Sequence, residues 1–134
     1  MNFCNMESVK FIGHIYSSLK DLKDCPLQEN EEAPQATIFV NQEYLNAVDG
    51  LKVGMNILLL TWLDKADRKI LSTKPRNNPT AKTTGVFATR SPDSPNPIGL
   101  HATRILEIKD GMIKVSNLEV LDGTPLIDIK PVLN

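Results

Sequence analysis

The chain is poor in the residues that build several common kinds of site. It holds two cysteines in 134 residues, Cys4 and Cys25, with no C-x-x-C spacing. The two histidines, His14 and His101, do not cluster with them, so neither a zinc site nor a disulfide framework is indicated, and no metal is expected. Seven glycines form neither G-x-x-x-x-G-K-[ST] nor G-x-G-x-x-G, which removes the P-loop and the Rossmann fold with its nicotinamide and flavin enzymes. No G-x-S-x-G elbow occurs, and Ser91 is followed by Pro92 rather than opening a helix, so nucleophilic hydrolysis finds no support. No apolar run approaches the roughly 18–20 residues of a membrane-spanning helix. The opening MNFCNMESVK lacks the basic start and apolar stretch of a secretory signal. A soluble cytoplasmic protein with no membrane partner and free, structural thiols is the expectation.

What remains is the composition of one compact domain, 1–134, with 41% hydrophobic and 23% charged residues. A chain of this size buries roughly 65–70% of its unfolded surface without metals or disulfides. Net charge is −1, which argues against indiscriminate nucleic-acid binding, yet the charges are segregated. Residues 21–50 carry seven acids against Lys23 alone, whereas 64–90 carry seven bases (Lys65, Arg68, Lys69, Lys74, Arg76, Lys82, Arg90) against Asp64 and Asp67. The basic segment is either a solvated loop or a local positive face for RNA phosphates.

Short strand spacing predicts a mainly β chain with one or two short helices, either a curled antiparallel β-barrel or a pair of curled sheets. Ser8 to Tyr16 alternates as a first strand, with Val9, Phe11, Gly13 and Ile15 on one face. Ser17 to Asp24 reads as a helical turn, ended by Pro26, and Ala36 to Val40 as a second strand. Asn41 is placed to cap a short helix carrying Tyr44, Leu45 and Val48, stopped by Gly50. Asn56 to Leu63 is a central strand, and Asp64 to Thr84 a loop without sustained periodicity. Ala102 to Ile108 and Met112 to Val115 form a hairpin turned by Asp110-Gly111. Leu118 to Leu121 and Leu126 to Ile129 read as shorter strands around the turn Asp122-Gly123-Thr124-Pro125.

The most informative stretch is Gly85 to Leu100, GVFATRSPDSPNPIGL. Pro92, Pro95 and Pro97 fix φ and remove donors, so neither a helix nor a central strand runs through them, and a rigid, shaped loop results. Its apolar ends anchor it, leaving Arg90, Ser91, Asp93, Ser94 and Asn96 to face something polar. Arg90 offers a fixed fork of donors for a carboxylate or phosphate, while Glu119, Asp122 and Asp128 supply negative charge near the second segment, 118–131. An amphoteric ligand suits such a pair of segments. A structural ion pair between Arg90 and one of these acids is the other reading.

GVFATRSPDSPNPIGL followed by LDGTPLIDIKPV, Leu121 to Val132, resembles the paired signature of the TrmO family, also called TsaA-like or YaeB-like. The resemblance runs from Ile12-Gly13 to the C-terminus. It implies a β-barrel homodimer that uses S-adenosylmethionine to methylate the exocyclic amine of threonylcarbamoyl-adenosine in tRNA, just 3′ of the anticodon. It places Arg90 and Leu100 in the donor site, with Glu119, Val120, Leu121, Asp122 and Gly123 against the adenosine half. Pro26, Leu27 and Gln28 stand at a donor-contacting Pro-Arg-Gln, and Asp64 and Lys65 at further donor positions. Leu27 and Ser94 stand where the family has arginine, and Val132 where it has an aromatic residue. Asp122 or Asp128 is positioned to accept the proton that leaves the amine, and Arg68, Lys74 and Arg76 are the candidate RNA contacts. A same-fold methyltransferase with a small-molecule acceptor, and a non-catalytic donor-binding module, are the alternatives.

Overall fold

The computed structural model describes residues 7–19, 35–74, 80 and 82–133. Eight strands are present among the described residues: β1 Gly13–Tyr16, β2 Ala36–Val40, β3 Asn56–Trp62, β4 Ser72–Thr73, β5 Thr84–Gly85, β6 Ile98–Lys109, β7 Met112–Val115 and β8 Pro125–Pro131. Six close into an antiparallel ring in the order β1-β2-β7-β6-β3-β8, with β8 returning to pair with β1. Closure removes the unpaired edges that an open six-stranded sheet would expose.

Alternation along each strand fills the ring. Ile15, Ile38, Ile57, Leu59, Ile105, Ile113, Val115 and Leu126 point inward and are fully buried, with β-branched residues prominent, as pleated, half-buried surfaces favour. Two close approaches depend on glycine. A Cβ on Gly13 would lie 1.9 Å from the Phe39 carbonyl oxygen in the neighbouring strand. One on Gly99 would lie 2.4 Å from Thr61 Oγ1 and 2.6 Å from His101 Nε2, two buried atoms already in contact at 2.9 Å.

The register fixes what lies at each end. Tyr16, Ala36, Trp62, Ile98 and Pro125 share the upper rim, and Gly13, Val40, Asn56 and the β6–β7 turn the lower. A 3₁₀ helix, Gln42–Val48, and the turns after it close the lower end, with Val48, Leu51 and Met55 packed on the core. Asn41 precedes that helix as expected but does not cap it with its side chain. Its amide donates instead to the Phe11 carbonyl at 3.2 Å. The β6–β7 hairpin turns on Asp110 and Gly111 at φ 49° and 81°, the left-handed pair that a tight two-residue turn needs.

Several expected boundaries shift. The first strand begins at Gly13 rather than Ser8, and Val9 and Phe11 are exposed instead of buried. The expected helical turn 17–24 falls mostly outside the described residues. Residues 118–121 are not a strand: Leu118 and Val120 are buried, and this segment crosses the upper end of the ring as a lid over the core. The 64–84 loop contains the short β4–β5 pair.

Candidate functional site at the upper rim

Residues 118–124 are sewn to the end of β1. Asp122 N–H donates to the Leu19 carbonyl at 2.8 Å, Gly123 N–H to that of Ile15 at 2.7 Å, and Ile15 N–H to that of Thr124 at 3.0 Å. The Asp122 carboxylate accepts the Ser17 N–H at 2.9 Å, and Ser17 Oγ accepts the Leu19 N–H at 3.0 Å. Thr124 closes the turn by donating from both its N–H and its hydroxyl to the Leu121 carbonyl, and Gly123 takes φ 83° within it. The expected turn 122–125 therefore forms. Val120, read as donor-binding, turns its side chain into the core, so only its backbone is available to a ligand.

The proline loop is rigid for a local reason. Thr89 Oγ1 donates to the Val86 carbonyl, Ser91 N–H donates to Thr89 Oγ1, and Asp93 N–H donates to Ser91 Oγ, a run of side-chain turns that substitutes for the missing regular bonds. Long-range bonds then fasten it to the segment after β3. Leu63 N–H donates to the Pro97 carbonyl, and Asp67 N–H to Asp93 Oδ1, each at 2.8 Å. Arg68 Nε donates to the Pro95 carbonyl at 2.7 Å while its guanidinium lies 5.3 Å over the Trp62 ring. Arg68, read as an RNA contact, thus serves as the clamp of this loop. Ser91, Asp93 and Asn96, expected to face a ligand, are engaged within the loop and its clamp. Arg90 is exposed and makes no hydrogen bond or ion pair among the described residues.

The remaining candidates fall in two places. Asp64 and Lys65 are exposed in the turn that leaves β3, beside the anchor of the proline loop. Leu100 and Asp128 lie on the outer face of the ring, in register with Leu60 between them. A bulge at Ile127 interrupts the β3–β8 register next to Asp128, and Lys130 Nζ lies 3.0 Å from Asp128 Oδ2. Lys74 is exposed; Pro26, Leu27, Gln28 and Arg76 lie outside the described residues. The 119–123 segment thus lies at the ends of β1 and β8, Asp64 and Lys65 follow the end of β3, and Arg90 sits in the clamped loop that leads into β6, with Leu100 and Asp128 on the outer wall. The two cavities described, at the lower end and on the β2–β7 face, are lined by none of these residues.

Such a ring, with a clamped proline loop and a sewn-down Asp-Gly turn at one end, defines a small mainly β ligand-binding domain rather than a Rossmann enzyme. Residues 14–134 match the model of the tRNA-methyltransferase O N-terminal domain, and the chain belongs to that family. It is 40% identical over 123 residues to a probable S-adenosyl-L-methionine-binding protein of Methanothermobacter thermautotrophicus, covering 92% of this chain and 88% of that one. It is 38% identical to an S-adenosyl-L-methionine-binding protein of Archaeoglobus fulgidus, covering 91% and 86%. The crystal structure of TrmO from P. aeruginosa superposes with a TM-score of 0.74 at 30% identity, covering 96% of this chain and 55% of that one. The chain therefore spans little more than half of that TrmO.

Proposed function

We propose that this protein binds S-adenosyl-L-methionine at the upper rim and transfers its methyl group to the exocyclic amine of threonylcarbamoyl-adenosine in tRNA. The observation that carries the reading is the hydrogen-bonded turn at 119–123, together with an exposed, unengaged Arg90 in the clamped loop before β6, in a chain of the TrmO family. The donor set fits an amphoteric ligand. Arg90 suits a carboxylate, Glu119 and Asp122 suit an ammonium or ribose hydroxyls, and the 119–123 backbone suits an adenine edge. The donor, when bound, supplies an electrophilic methyl group. The protein's part is to hold the acceptor amine in line, to exclude water and to receive one proton.

Asp122 is the better candidate for that proton, because it lies within the donor segment, whereas Asp128 sits on the outer wall beside Lys130. The open form of the rim favours a homodimer in which a second copy covers it. Leu71 and Phe87, next to the proline loop, are 68% and 86% exposed, and an apolar pair so placed fits burial by another chain. Leu27 and Ser94, where the family has arginine, favour a second reading in which the acceptor is a small molecule. Transfer of labelled methyl to tRNA carrying unmethylated threonylcarbamoyl-adenosine tests the first reading. Salt-insensitive transfer to a small acceptor would support the second.

A further inference from the structure

The outer wall of the ring on the side of β1, β2, β7 and β6 carries two rows of side chains that the donor site does not use. Strand register places His14, Phe39, Met112 and Lys109 in one row, and Tyr16, Thr37, Lys114 and Glu107 in the row above. The rings of His14 and Phe39 stack at 5.7 Å and 12°, and Tyr16 meets Phe39 edge-on at 4.6 Å and His14 at 4.8 Å. Such a cluster on an outward face is unusual: Tyr16 remains 49% exposed and Met112 42%. Beside it Thr37, Glu107, Lys109, Met112 and Lys114 line an open groove of about 250 Å³. Lys109 and Lys114 make no ion pair among the described residues. Glu107 is the acid of that groove, whereas Asp110 of the adjoining turn lines the cavity at the lower end.

We propose that this wall is a stacking platform for single-stranded RNA, with the exposed Tyr16 ring, held by Phe39 and His14, receiving an unstacked base and Lys109 and Lys114 holding the phosphates. Aromatic rings on a solvent-facing sheet accept any base through its π-face, and flanking lysines give the backbone a track. Polarity in the fold supports the choice of occupant. The Tyr16 row is the one nearer the upper rim, and Tyr16 directly precedes Ser17, whose N–H binds Asp122. A strand lying on the platform is thereby led over the rim to the donor segment. The proposal rests on the tRNA reading above, and it supplies RNA contacts in place of Arg68, which the proline loop occupies.

The test is fluorescence anisotropy of a labelled single-stranded oligoadenylate RNA with the full chain, titrated across salt. Tyr16→Ala is expected to weaken binding about five- to a hundredfold, and Tyr16→Phe, which keeps the ring, to restore it. The double variant Lys109→Gln/Lys114→Gln is expected to lower the salt slope by about one to two. Donor binding, measured by calorimetry on the same samples, is expected to stay unchanged, which separates loss of the platform from loss of the fold. Unaltered RNA affinity and salt slope in all variants overturn the platform, even where the native chain methylates tRNA. A Tyr16→Ala variant that instead loses self-association or capture of a protein also overturns it. RNA binding lost in the variants, together with a native chain that transfers no methyl group to tRNA, upholds the platform and removes the acceptor assignment.

Discussion

Gly13 and Gly99 each sit in a strand of the ring, although the sequence placed Gly99 at the end of the proline loop, and they answer to different neighbours. At Gly13 a Cβ would strike backbone, the Phe39 carbonyl, which moves only if β1 and β2 separate. At Gly99 it would strike two side-chain atoms of the Thr61–His101 pair. Gly13→Ala is therefore expected to cost more than Gly99→Ala, for which a loss of about 1–3 kcal/mol by urea denaturation is expected. Equal costs would mean that the β1–β2 approach is looser than the register implies. Asp122 tests the donor segment in the same way. Asp122→Asn keeps an oxygen for the Ser17 N–H, so stability should hold within about 1 kcal/mol while turnover falls roughly 10²-fold or more if the carboxylate takes the proton. Asp128→Asn should fall less, and the reverse order would move the base to the outer wall. None of these distinctions was legible in the sequence, because they depend on which atoms the fold brings within about 3 Å.

The proline loop and its clamp behave as one element. Three prolines marked the loop in the sequence because their effect is local, and so did the hairpin at Asp110-Gly111. The clamp was not legible: Arg68 stands in a basic run that suggests phosphate contacts, and only the fold brings it to Pro95 and Trp62. Residues 118–121 misled for the opposite reason. Their alternation, Leu118 and Val120 buried, is that of a strand, but they roof the ring and pair with no strand. Trp62 is the chain's one tryptophan, so it reports on the clamp. Arg68→Ala is expected to change Trp62 emission, to speed hydrogen exchange at the Asp67 and Leu63 amides, and to weaken donor binding about tenfold, roughly one charge-assisted hydrogen bond's worth of order in the loop. Unchanged exchange in that variant would mean that Asp93 and the turns at Thr89 and Ser91 hold the loop unaided.

At the scale of the molecule, a closed six-stranded ring positions two rims and one outer wall with little freedom. A mainly β chain, barrel or pair of curled sheets, was legible from short alternating strands and turn residues, whereas closure and strand order were not, since β7 lies between β2 and β6 only through long-range pairing. With a net charge of −1, the proposed RNA binding would rest on local concentrations of lysine and arginine, so RNA affinity should fall steeply with salt while donor affinity stays nearly flat. A donor affinity that falls as steeply would place the donor's carboxylate in screened, exposed contacts alone. The most direct measurement is transfer of labelled methyl from S-adenosyl-L-methionine to tRNA bearing unmethylated threonylcarbamoyl-adenosine, with donor binding followed calorimetrically on the same sample. The account predicts donor binding, methylation at that base, and loss of both in Arg90→Ala. Donor binding without transfer to this tRNA would contradict the assigned acceptor, and absence of donor binding would contradict the site itself.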